Sequence, residues 1–167
     1  ANTFVGFEAG KTISTASENT AFGYQALKAN TSGDGNTAIG VKAMDANTVG
    51  DRNVAVGSDA LGAMNPSSNA DTYNVAVGYN AGYAVTTGVQ NTLIGGLAGD
   101  AITAANNNTA VGQRALGATT TGGSNVAIAV NALGSNTTGG ANVAIGQDTL
   151  FNNTTASNNT GVGTSAL

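Results

Sequence analysis

Nine carboxylates are the residues of this 167-residue sequence best suited to chemistry: Glu8, Glu18, Asp34, Asp45, Asp51, Asp59, Asp71, Asp100 and Asp148. There is no His and no Cys, which removes Ser-His-Asp triads, imidazole-bound zinc and thiolate nucleophiles or ligands. Two carboxyl groups a few ångströms apart would still suffice for glycoside hydrolysis. The spacing of the acids argues against it. Glu8, Asp59 and Asp148 share one position of a sequence repeat but lie three and five repeats apart, ~15 Å or more if repeats stack at strand distance. Gly122-Gly123 lacks the Lys-Ser/Thr that a phosphate loop needs, and no segment carries the Gly-Gly-x-Gly-x-Asp of calcium-binding nonapeptides. The sequence reads as non-enzymatic, with no cofactor and no metal.

The elements that would hold any site are copies of one phrase, Asn-Thr/Val-Ala-Ile/Val-Gly. It begins at Asn2, Asn19, Asn36, Asn53, Asn74, Asn91, Asn108, Asn125, Asn142 and Asn159, so every interval is 17 residues except one of 21. A fixed period of this size is the mark of a solenoid. With the Asn as position one, position two is Thr or Val and position four is Val, Ile or Phe in every copy. Two such residues flanking one other are the period-2 pattern of a strand. Position five is Gly, with Ala129 as the exception, and ends the strand in a bend. Position eight is almost always Ala, and position nine is Leu, Met or Gly, a second small apolar contact. Stretches such as Asn30-Thr31-Ser32-Gly33 and Asn136-Thr137-Thr138-Gly139 then turn the chain back, since Asn and Gly tolerate left-handed backbone. The prediction is an all-β parallel solenoid of ten repeats over residues 1–167, a rod of roughly 45–50 Å cut from a longer array.

Stacking aligns like with like. The position-one Asn column is expected to form an amide ladder, and the Thr column at position thirteen (Thr31, Thr48, Thr86, Thr103, Thr120, Thr137, Thr154) a hydroxyl ladder. Only 8% of residues are charged, as expected if a column of like charges would repel itself. The five basic residues are scattered and net charge is −4, which excludes a nucleic-acid footprint. No apolar run approaches the ~18 residues of a membrane span, and none is expected to insert.

If positions two and four face the interior, then Ala and Gly at three and five face out. The reverse assignment leaves an Ile/Val column outside. A strand with small or apolar residues on both faces is normally covered on both, so each alternative implies a partner, and copies of the same chain around an axis would supply it.

The phrase Asn-Thr-Ala-Ile-Gly-x-x-Ala-Leu followed by Asn-Thr-Thr-Gly resembles the repeats of phage tail-fibre proteins and is similar to the head repeats of trimeric autotransporter adhesins. The resemblance covers essentially the whole chain. It implies a left-handed parallel β-roll in a homotrimer, forming a stiff shaft or a receptor-reaching head, in a virion or on a cell surface. The period of 17 is long for adhesin heads and favours the fibre.

The fourth repeat alone is longer, by four residues, and holds the single proline. Asn65, Pro66, Ser67, Ser68, Asn69, Asp71 and Tyr73 are therefore the candidate receptor-contact loop, facing a host-surface glycan or protein, because insertions in repeats map to loops and loops carry binding. Phe7, Tyr24 and Tyr79 at position six suit chain–chain packing better than sugar stacking. Two further functions stay open, a bacterial adhesive head and a self-stacking extracellular filament. An ice-binding face is disfavoured because the columns beside the position-thirteen Thr are Gly, Ala or variable.

Overall fold

The computed structural model describes all 167 residues and contains no helix. Each repeat supplies one three-residue strand: β1 (Thr3–Val5), β2 (Thr20–Phe22), β3 (Thr37–Ile39), then β5 (Val54–Val56), β7 (Val75–Val77), β8 (Thr92–Ile94), β9 (Thr109–Val111), β10 (Val126–Ile128), β11 (Val143–Ile145) and β12 (Thr160–Val162). These ten form one parallel sheet in chain order. Register follows the repeat: Thr20 pairs with Thr37 and Val126 with Val143. Two further strands, β4 (Gly50–Asp51) and β6 (Ala70–Asp71), pair in parallel at a corner beside the insertion. The chain is a parallel β-solenoid.

Of 109 backbone hydrogen bonds only 19 lie within strands, so coils are joined around their whole circumference. Bonds such as Gly10 N–H to the Ala26 carbonyl and Ala29 N–H to the Asp45 carbonyl stitch the corners as the sheet stitches the strands.

The strand faces are resolved in favour of the second alternative. Position three is interior: Ala21, Ala38, Ala55, Ala76, Ala110, Ala127 and Ala144 are buried with Leu93. Positions two and four point outward, and Val5, Phe22, Ile39, Ile94, Ile128, Ile145 and Val162 are all exposed. The physical reason is room. A three-residue strand in a 17-residue circuit faces the Leu or Met of position nine across a narrow interior, and only a methyl group fits between them. Ala26-Leu27, Ala43-Met44, Ala60-Leu61, Ala115-Leu116 and Ala132-Leu133 complete the continuous core.

Volume within that core is conserved by exchange. Where position nine is Gly (Gly10, Gly82, Gly99), position twelve becomes Ile13, Val85 or Ile102; elsewhere it is Asn, Thr or Met. Position three also answers: a Cβ on Gly10 would strike the Phe4 ring at 2.7 Å, and Cβ atoms on Gly82 and Gly99 would strike Leu93 at 2.7 and 2.8 Å. Large groups from the opposite wall occupy the space those glycines leave.

Tight corners require positive φ even without glycine. Position seven is left-handed throughout, from Glu8 at 57° to Ser165 at 55°, as are Leu27, Leu61 and Leu116 at position nine. Left-handed backbone costs an L-residue roughly 1–2 kcal/mol, offset here by burying a leucine, worth about 1.5–3 kcal/mol. The Gly column at position five has a different cause: Gly40 sits at φ 135°, and a Cβ there would collide with the Gly57 carbonyl oxygen of the next coil.

Candidate functional site

The Asn column forms the expected amide ladder. Asn91, Asn108, Asn125 and Asn142 are buried. Each Oδ1 accepts the backbone N–H and the Nδ2 of the next Asn, as Asn108 Oδ1 does from Asn125 at 3.0 and 3.2 Å. Each Nδ2 also donates to a carbonyl fourteen residues on, closing its own circuit, as Asn108 does to Gly122 at 3.1 Å. At the insertion the pattern is patched: Asn53 Oδ1 accepts from Asn74 N–H and from the Thr72 hydroxyl at 2.8 Å. No buried side-chain polar atom lacks a partner.

The Thr ladder differs from expectation. Thr103 Oγ1 donates to the Thr120 carbonyl and Thr120 Oγ1 to the Thr137 carbonyl, each at 3.2 Å. The hydroxyls tie to backbone and not to one another, because the stacked carbonyls are the nearer acceptors.

Acids do stack in one column, contrary to the expectation from repulsion. Position sixteen carries Asp34, Asp51 and Asp71 in successive coils, and Asp51 and Asp71 are register partners in β4 and β6. The repulsion is offset by donors. Asp34 Oδ1 accepts Ser17 N–H at 2.6 Å, Asp51 Oδ1 accepts Asp34 N–H at 2.7 Å, and Asp71 pairs with Arg52 and the Tyr73 hydroxyl. Asn106 plays the same part toward Val89 N–H. These carboxylates replace sheet hydrogen bonds that the corner lacks. In the sequence Asp34 and Asp51 stand one period apart, while the insertion displaces Asp71 from that spacing.

Position seven holds a separate charged group. Glu8 meets Lys11, Lys28 at 3.0 Å and Gln25 at 2.8 Å, and these donors hold its carboxyl down at about 2. Glu8, Asp59 and Asp148 are not brought together: Asp59 bonds Ser58, and Asp148 bonds Asn131. No cluster of three His, Cys, Asp or Glu side chains is placed to hold a metal ion.

The candidate loop residues are placed at one corner. Asn65, Ser67, Ser68, Asn69, Asp71 and Tyr73 are exposed and Pro66 is half-buried. Asn69 reaches back across two coils to the Ser32 carbonyl, and Thr48 Oγ1 donates to Asn65 at 2.6 Å. Arg52 lies over the Tyr73 ring at 6.0 Å from its centre. Elsewhere, Phe7 and Tyr24 stack at 5.7 Å, their planes 9° apart, beside the outward Val/Ile column.

Comparison with protein-family models, curated proteins and solved structures finds no match. The site must be read from its own geometry, and its largest feature is the outward strand face. Ten coils present the same apolar column there, flanked by Thr and Val at position two and, in half of the coils, by an aromatic or aliphatic side chain at position six (Phe7, Tyr24, Val41, Tyr79 and Val130). No helix is long and apolar enough to cross a membrane.

Proposed function

We propose that this chain is a structural, non-enzymatic shaft segment of a phage-type tail fibre, a β-solenoid that self-associates, as a homotrimer, to support host attachment. The observation that carries this reading is the Val/Ile/Phe column running the length of the ten-stranded sheet. Monomers rarely expose so long a continuous apolar stripe, and such a stripe marks an association surface. Identical copies meet its demand best, since every coil offers the same spacing to a neighbour built the same way. The virion is the location that follows.

Light scattering on the purified chain tests the assembly. The expected molar mass is three times the 16.1 kDa of one chain, falling to the monomer in an Ile39→Lys/Ile145→Lys variant. A clean monomer for the unmodified chain refutes the reading.

One observation favours a second reading, an adhesive head on a bacterial cell surface. The insertion displays Tyr73, Arg52 and Asp71 together at an exposed corner, where aromatic and Arg side chains are common binding anchors. Host-cell binding by a chain lacking residues 66–69 separates the two: unchanged binding removes the insertion as the contact.

A further inference from the structure

Side chains at position ten change size abruptly along the rod. Asp100 is followed one coil on by Gly117, then Gly134, then Phe151. With two glycines in succession the wall drops, and a cleft of about 340 Å³ opens between the flanking residues, with Arg114 and Asn131 of position seven along one side. A Cβ on Gly134 would meet the Phe151 ring at 2.8 Å. The ring therefore lies across the Gly134 backbone, and Phe151 remains 37% exposed. Tyr83 lies over Gly62 in the same manner, 3.1 Å from where a Cβ would stand, but there no second glycine follows to leave a trough.

The charged groups of the cleft form no ion pair. The three ion pairs of the chain involve Glu8 and Asp71 with their lysine and arginine partners, and neither Asp100 nor Arg114 takes part. Asn131 uses its Nδ2 on Asp148 at 2.9 Å, which leaves Oδ1 as an acceptor. Burial raises the Asp100 carboxyl above its ordinary range, with the Arg114 charge acting against that shift. The position-seven side thus offers the Arg114 guanidinium donors and the Asn131 amide acceptor, with the Asp100 carboxylate at one end of the trough, the Phe151 ring at the other and the backbone of Gly117 and Gly134 as floor.

We propose that this cleft binds a single hexopyranose unit of an uncharged glycan. The apolar C–H face of the sugar rests on Phe151, and adjacent hydroxyls are shared between the Arg114 donors and the Asp100 and Asn131 acceptors. Hydroxyls both donate and accept, so they satisfy Arg114 and Asp100 alike, whereas a charged ligand would meet a like charge at one of them. The volume lies at the lower end of the roughly 300–1,000 Å³ typical of ligand clefts, enough for one ring. The cleft is complete within one chain, and its lining comes from positions seven, ten and eleven, not from the outward strand residues.

Saturation-transfer NMR on the full chain tests it, with methyl glycosides of glucose, galactose, mannose and N-acetylglucosamine as probes and methyl glucuronide as the charged comparison. Transfer to the ring protons of at least one neutral glycoside is expected, with a millimolar Kd. Binding should weaken at least tenfold in Phe151→Ala and in Gly117→Leu, which fills the trough without removing a polar group, while circular dichroism stays unchanged. No transfer to any neutral glycoside, a preference for the glucuronide, or equal binding by Phe151→Ala overturns the proposal. Molar mass decides the fibre reading and this titration the cleft, so each fails on its own result.

Discussion

Replacing Asn108 by Ala removes one rung from the middle of the amide ladder, and its cost follows from the bonds that vanish. Asn125 N–H loses its acceptor at 3.0 Å and the Gly122 carbonyl its donor at 3.1 Å. Asn91 Oδ1 keeps a partner, because Asn108 N–H still donates to it at 3.1 Å. Two groups are left unsatisfied beside a fully stacked neighbour, and each costs about 1–3 kcal/mol. The expected loss is about 2–6 kcal/mol, a fall in urea midpoint of about 1–3 M if the slope is about 2 kcal/mol/M. Urea unfolding followed by circular dichroism reads it directly. The control is Asn152→Ala, an exposed Asn whose change should stay within about 0.5 kcal/mol. Asn108→Asp sharpens the test. A carboxylate there keeps the acceptor but turns two lone pairs on Asn91 Oδ1 and the Gly122 carbonyl, so the folded state favours the protonated acid. Relative stability of that variant should be greatest below the unfolded-state value of ~3.9 and fall as pH rises through its higher folded value. An Asn108→Ala chain as stable as the control refutes the claim that the ladder holds the coils together.

Three further outcomes follow from the same geometry. Gly40→Ala should lower Tm, because its Cβ meets the Gly57 carbonyl oxygen, whereas Ala129→Gly should raise it by relieving a side chain held at φ 112°; calorimetry on the pair checks both signs. Leu93→Ala should cost about 2–5 kcal/mol and fall at the upper end of that range, since Gly82 and Gly99 on either side cannot close the void, and chemical denaturation measures it. Glu8, held at about 2 by Lys11, Lys28 and Gln25, contributes stability present above the ordinary carboxylate value and lost as pH falls toward 2. A Lys11→Met/Lys28→Met chain should show a flatter dependence of unfolding midpoint on pH across that window.

The period, strand positions, corner chemistry and amide ladder were legible because stacking forces each to recur at one spacing. Which strand face is buried was not, since Ala at position three and Ile at position four are both apolar and periodicity alone cannot rank them. The deciding quantity is the width of the interior, which depends on Leu116 and its equivalents reaching across from the opposite wall. The left-handed leucines were hidden for a related reason: their backbone cost is offset by burial, which composition does not display. Asp34, Asp51 and Asp71 needed only alignment past the insertion, but Thr72 adds a residue between Asp71 and Tyr73 and shifts the count. The position-ten cleft was invisible as a pattern, because its column varies from coil to coil and only the succession of two glycines, Gly117 and Gly134, opens the trough.

The exchange of volume between positions three, nine and twelve bears on how the chain finds its register. Backbone bonding is nearly the same from coil to coil, so a coil that paired with its second neighbour and looped out the one between would recover almost every hydrogen bond it lost. What distinguishes the right partner is bulk. Leu93 fills the space left by Gly99 of its own coil and Gly82 of the coil before it; were the Gly82 coil looped out, Leu61 would stand in its place and clash. These mismatched residues act as a serial number along an otherwise uniform thread, so that each coil has one neighbour that fits and the rod closes in sequence order.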